Sequence, residues 1–160
     1  MSDLVIRKAT DKDASLILDF IIELAVYEKA EHEVIATTED IKKNLFSDNT
    51  TTEALICTSN EIPIGYAVYF LNFSTWLGKN GLYLEDLYIS PDHRGSGAGK
   101  KLLHYLANVA VKNNCGRFEW SVLDWNEPAI RFYESIGAKA QHEWIGYRLE
   151  GRRLVDFAES

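Results

Sequence analysis

Tyr83-Leu84-Glu85-Asp86-Leu87-Tyr88-Ile89-Ser90-Pro91-Asp92-His93-Arg94-Gly95-Ser96-Gly97-Ala98-Gly99-Lys100 is the stretch on which the fold turns. Its first part is apolar and rich in aromatic and branched residues, so it reads as a strand from Leu82 that stops at Ser90-Pro91. The chain beyond Gly99 reads as a helix, because Leu102, Leu103, Leu106, Val109 and Ala110 keep the 3.6-residue period. Between the two lie the alternating glycines Gly95, Gly97 and Gly99. A glycine loop at a strand-to-helix junction lets backbone N–H groups approach an anion while the helix N-terminus supplies positive potential. A phosphate-bearing ligand is therefore expected, with a plain tight turn as the alternative.

Upstream, Leu4-Val5-Ile6-Arg7 reads as a short strand, and Asp11 to about Lys29 as a helix with Ile17, Ile21, Leu24 and Ala25 on one stripe. Thr37-Thr38-Glu39-Asp40 has the pattern of a capped start for a second helix ending near Phe46. Ala54 to Cys57 and Ile64 to Leu71 flank the turn-like Asn60-Glu61-Ile62-Pro63, which predicts an antiparallel hairpin. A polar loop with Gly78, Asn80 and Gly81 leads into the opening strand.

Downstream, Arg117 to Leu123 reads as a strand, and Asn126 as the cap of a short helix through Ser135, with Ala129, Phe132, Tyr133 and Ile136 on one face and Gly137 at its end. The tail from Ala138 to Phe157 carries two apolar runs around Glu150-Gly151, which predicts a closing hairpin. The expected order is β-α-α-β-β-β-α-β-α-β-β, an α+β fold with a mixed, mostly antiparallel sheet flanked by helices. With no repeat, no low-complexity tract and no linker, the 160 residues are expected to form one domain.

Composition narrows the function. The 17 Lys and Arg against 24 Asp and Glu give a formal net charge of −7, which disfavours nucleic acid and anionic membranes and favours cationic partners. Cys57 and Cys115 lie far apart with no C-x-x-C spacing, and His32, His93, His104 and His142 are scattered, so no metal site is expected. Two idle thiols, no leader-like start at Met1 and no span-length apolar run point to a cytoplasmic protein.

The phosphate ligand narrows by what the loop lacks. A Walker A loop ending at Gly99-Lys100 needs glycine at 94 and Ser/Thr at 101, where Arg94 and Lys101 stand. A dinucleotide fingerprint starting at Gly95 wants glycine or alanine where Lys100 stands, although Glu119 lies at a suitable distance downstream. The pattern that is met is R-x-x-G-x-G, at Arg94, Gly97 and Gly99, and it resembles the acetyl-CoA loop of the GNAT acetyltransferase superfamily. Asn126-Glu127-Pro128-Ala129-Ile130-Arg131-Phe132-Tyr133 with Gly137-Ala138 is similar to that superfamily's second cofactor segment. Ala25-Val26-Tyr27-Glu28, Tyr83-Leu84-Glu85-Asp86 and Trp125-Asn126-Glu127-Pro128 extend the likeness to its diamine/polyamine acetyltransferase group, nearly end to end.

The resemblance implies an acetyl-CoA-dependent N-acetyltransferase for a small cationic amine, working as a homodimer. It assigns the cofactor loop to Arg94, Gly95, Ser96, Gly97, Ala98, Gly99 and Lys100, with Leu87, Tyr88 and Ile89 along the pantetheine arm and Asn126 and Tyr133 near the sulfur. It assigns the amine site to Glu85 and Asp86, walled by Tyr27, Glu28, Trp76 and Tyr147. As consecutive strand residues, Glu85 and Asp86 are expected on opposite faces of the sheet. Glu85 is the expected base, through water, and Tyr133 the expected acid. The polyamine enzymes of the group carry an acid two places before the tryptophan that matches Trp76, where this chain has Ser74. Ser74-Thr75-Trp76 and Leu123-Asp124-Trp125-Asn126 instead look like the thialysine-acetylating branch. A non-catalytic sensor of CoA or polyamines would share these residues, and a dinucleotide-binding protein would share the loop.

Overall fold

The computed structural model describes residues 3–160 and divides the chain into two compact units, one ending at Ser121 and the other running from Val122 to Ser160. Met1 and Ser2, part of the start searched for a leader, lie outside the described residues.

The first unit is built on a five-stranded sheet in chain order: β1 (Leu4–Lys8), β2 (Thr52–Ser59), β3 (Ile62–Ser74), β4 (Lys79–Ile89) and β5 (Phe118–Trp120). The pairs from β1 to β4 are antiparallel, while β4 and β5 run parallel, joined by the crossover helix α3 (Ala98–Lys112). α1 (Ala14–Tyr27) and α2 (Thr38–Leu45) join β1 to β2. The expected mixed, mostly antiparallel sheet with flanking helices is present. β5 is shorter than the expected strand from Arg117 to Leu123, and α1 starts after a tight turn at Asp11–Asp13.

Local chemistry explains the boundaries. Thr37 and Asp40 exchange backbone-to-side-chain hydrogen bonds at 2.9 and 3.1 Å, closing a capping box on α2. Asn60 and Glu61 both take positive φ, which makes the tight two-residue turn between β2 and β3. Pro63 is accommodated inside β3 because the register shifts there, with Cys57 opposite Gly65 and Thr58 opposite Pro63. One face of the sheet receives α1 and α2 in a cluster of Ala14, Ile17, Phe20, Ile41, Ala54, Ile56, Tyr66 and Tyr88. Phe20 stacks on Tyr66 with ring centroids 5.6 Å apart and planes 9° apart. Arg7 grips Asp13 through two 2.8 Å hydrogen bonds, tying β1 to the turn before α1.

In the second unit, α4 (Glu127–Ser135) begins at Asn126 as expected. It ends at Gly137, whose φ of +93° lets Gly137 and Ala138 donate back to the carbonyls of Glu134 and Tyr133. The expected closing hairpin is corrected: residues 138–150 contain no strand, and the chain ends in helix α5 (Gly151–Glu159). Leu154, Val155 and Phe157 fit either period, and Arg152 pairs with Asp156 one helical turn on at 2.8 Å. In this helix the backbone groups are satisfied by intrahelical bonds instead of a ladder.

Candidate functional site

The site begins at an irregularity in β4. Val68 pairs with Asp86 and Tyr69 with Leu84, which leaves Glu85 as the extra residue of a β-bulge. The bulge slips the alternation: Leu84 and Leu87 face the partners of one side, Tyr69 and Ala67, with both acids between them. The strict alternation that would put Glu85 and Asp86 on opposite faces is therefore interrupted at the bulge, and Asp86 lies on the face of Val68 and Tyr66. Glu85 is exposed and Asp86 half-buried.

Tyr66, wholly buried, donates its hydroxyl to Oδ2 of Asp86 at 2.7 Å. Burial and the surrounding Asp86, Glu28 and Glu85 charges push this phenol far above its ordinary range, so it stays protonated and a donor. Burial also raises the Asp86 carboxyl, and the Tyr66 hydrogen bond works against that rise. Glu28, at the C-cap of α1, is raised by burial and by the Asp86 charge. Its position adds to the negative end of the α1 dipole. The result is a cluster of acids from α1 and β4 around one hydroxyl of β3.

Beside it, Arg94 donates from Nε to the Ile89 carbonyl at 3.0 Å, and its guanidinium carbon lies 4.7 Å from the Tyr27 ring centroid and 5.5 Å from that of Tyr88. Tyr27, Glu28, Asp86, Tyr88 and Arg94 are thus brought together. Tyr88 and Ile89 are buried and Leu87 half-buried.

The glycine loop leaves the end of the same strand. Gly95 and Gly97 take φ of +81° and +88°, a region that L side chains rarely enter, and a Cβ added at either would meet nothing within 4 Å. Ser96 Oγ donates to the His93 carbonyl at 2.6 Å. Gly97 caps α3 with its backbone and no side chain closes the helix end, where Lys101 makes the first intrahelical bond to Gly97. The N–H groups of Ala98, Gly99 and Lys100 precede that bond and sit at the positive end of the helix dipole. Open space at Gly95 and Gly97 beside uncapped backbone donors at a helix N-terminus is chemistry that suits an anion.

Trp76 lies apart from these residues, and three other expected residues belong to the second unit. Trp76 sits in the β3–β4 turn with the Arg117 guanidinium 5.9 Å from its ring. It is about 20 Å along β3 from Val68, the partner of Asp86, at the usual rise per strand residue. Ser74 has a structural task in that turn, since its Oγ accepts from the Leu77 N–H at 3.2 Å. Asn126, Tyr133 and Tyr147 belong to the second unit: Asn126 at the start of α4, Tyr133 half-buried with its ring 6.0 Å from Phe132, and Tyr147 exposed. Tyr66 is the residue that sequence reading missed. Its signal, a hydroxyl in an otherwise apolar strand, acquires meaning only once β3 is paired with β4. No cluster able to hold a metal occurs among the described residues, and no helix there is long and apolar enough to cross a membrane.

Comparison with known proteins agrees with this geometry. Residues 18–138 match the Acetyltransferase (GNAT) family. The chain is 35% identical to the thialysine N-epsilon-acetyltransferase of Sus scrofa, with 99% of each covered. It is 31% identical to an L-ornithine acetyltransferase of Arabidopsis thaliana, over 93% of this chain and 85% of that one. Among solved structures, an integron cassette protein from the mobile metagenome of V. cholerae superposes with a TM-score of 0.82 at 29% identity, covering 98% of both chains. A strand that breaks into paired acids, a glycine loop at its end and these relatives carry one conclusion: the chain belongs to the GNAT family of acetyltransferases and is an acyltransferase.

Proposed function

We propose that this protein acetylates the primary amine of a small cationic molecule, a thialysine- or lysine-like amino acid or a diamine/polyamine, by direct attack in a ternary complex with acetyl-CoA. The observation that carries the reading is that β4 serves both ends of such a reaction. Its bulge presents Glu85 and Asp86, and the loop at its end opens a backbone anion cradle at Gly95 and Gly97.

In this reading Arg94 to Lys100 hold the pyrophosphate, Leu87, Tyr88 and Ile89 line the pantetheine arm, and Asn126 and Tyr133 approach the sulfur. Acetyl-CoA supplies an activated acetyl thioester. The protein must supply a neutral amine, and for an amine of pKa about 10.4 that costs about 4 to 5 kcal/mol at pH 7. Glu85, exposed at the bulge, suits a base acting through water. Tyr133 protonates the departing thiolate. Tyr27, Glu28 and Asp86 receive the cationic substrate, whereas Trp76, out in the β3–β4 turn, is given no part in holding it. The cysteines suit no covalent step: burial pushes the Cys57 thiol up, away from the reactive thiolate.

The same reading takes the chain as one acetyltransferase domain in a cytoplasmic homodimer. Unpaired Cys57 and Cys115 suit a reducing compartment, and exposed Trp144, Ile145 and Phe157 suit a subunit contact. A subunit contact through the tail would use α5, because the expected terminal hairpin is absent there.

Thiol release from acetyl-CoA, followed side by side with thialysine, lysine, putrescine, spermidine and a histone-tail peptide, tests the proposal. Thialysine is expected to show higher kcat/KM than spermidine, because Ser74 stands where the polyamine enzymes carry an acid. A less basic amine also lowers the deprotonation cost by about 1.4 kcal/mol per pKa unit. A tenfold preference for spermidine would overturn the substrate assignment. Ligand binding without turnover of any amine would replace the enzyme with a sensor.

A further inference from the structure

Asp86 is an acid in an unusual setting: half-buried, in a strand, with the neighbouring Glu28 carboxyl and the Glu85 charge close enough to act on the same hydroxyl. Burial drives a carboxylate toward its neutral form, and a neutral acid attracts no ammonium group. One group opposes that drift. Tyr66 reaches Oδ2 of Asp86 at 2.7 Å from the neighbouring strand. Its ring lies flat on Phe20, whose other neighbour is Tyr88, and this packing holds the ring whose hydroxyl reaches Asp86.

We propose that Tyr66 is a positioning residue for amine selection, donating to Asp86 so that this carboxylate stays charged and oriented, beside Glu28, for the substrate's ammonium group. The proposal rests on the assignment of this pocket as the amine site and adds to it a residue that touches no substrate. Around Asp86 are Tyr66 from β3, bonded to it, and Glu28 at the end of α1, which its charge reaches, with Glu85 next to it in the strand. Arg94 is occupied over the Tyr27 and Tyr88 rings. Burial raises the Asp86 carboxyl and the Tyr66 bond lowers it, so losing the hydroxyl moves it further up.

Tyr66→Phe keeps the ring stack and deletes the donor. The KM for thialysine or putrescine is expected to rise about tenfold, the size of a charge-assisted hydrogen bond, with kcat and the KM for acetyl-CoA within about twofold. The acidic limb of kcat/KM should move to higher pH, as should the Asp86 carboxyl titration followed by carbon NMR. In an Asp86→Asn background the Tyr66→Phe change should add nothing. Asp86→Asn alone, with Tyr66 untouched, should also raise the amine KM, which keeps the test open if the Phe variant folds poorly. An unmoved Asp86 titration, an unmoved amine KM in Asp86→Asn, or an equal loss in the Asn background would overturn the proposal and leave Tyr66 a packing residue. If the unmodified protein acetylates no amine, the proposed function fails and this role fails with it, whereas the NMR titration reports separately on the Tyr66–Asp86 bond.

Discussion

The guanidinium of Arg94 lies over the ring of Tyr27, 4.7 Å from its centroid, so the first residue of the glycine loop rests on the last residue of α1. The same side chain donates to the Ile89 carbonyl and also covers Tyr88. The glycine loop and the end of α1 therefore share one planar cation.

Lysine cannot reproduce that arrangement, because an ammonium neither stacks as a plane nor donates sideways from its stem. Arg94→Lys should weaken acetyl-CoA binding by about tenfold, corresponding to about 1.4 kcal/mol. Isothermal titration measures this, and unchanged affinity would show that the loop holds its shape without the contact.

Tyr133 carries the next expectation. If its hydroxyl protonates the departing thiolate, Tyr133→Phe should lower kcat by about a hundredfold or more, the usual scale of general acid catalysis, while acetyl-CoA affinity moves little. Turnover equal to the unmodified enzyme would assign the acid to another group.

Stability should depend on pH through Asp13. Arg7 holds this carboxyl below its ordinary value, chiefly by their hydrogen bonds, and Thr10 assists from its backbone N–H at 2.8 Å. A depressed carboxyl contributes stability that is fully present above its unfolded pKa, near 4, and is lost as pH falls through the lower folded value. Asp13→Asn should therefore cost about 2 kcal/mol at pH 7, and the two proteins should converge at strongly acidic pH. Urea denaturation at several pH values checks this, and a gap that stayed constant into acid would remove Asp13's charge from the account.

Where the local chain decides, the residues could be read directly. The capping box at Thr37 and Asp40, the 3.6-residue stripe of α3 and the glycine stop of α4 each depend on neighbours within one helical turn, and each is found where expected. The tail shows the limit of the same reasoning. Leu154, Val155 and Phe157 satisfy a strand pattern and a helix pattern alike, so local periodicity does not decide the segment that folds as α5.

The strand, the glycine loop and the helix after it were legible in the residues alone, because positive φ at Gly95 and Gly97 and the period of α3 are properties of those residues and their neighbours. Glu85 and Asp86 were likewise marked as acids out of place in an apolar strand. How the two acids are used depends on packing. The bulge at Glu85 is a mismatch of register between β3 and β4, and register belongs to a pair of strands and to neither alone. Tyr66 meets Asp86 across 20 residues of chain, and Glu28 reaches the same pocket from the end of a helix. Such a meeting depends on where the sheet and α1 pack, which no local pattern of residues records.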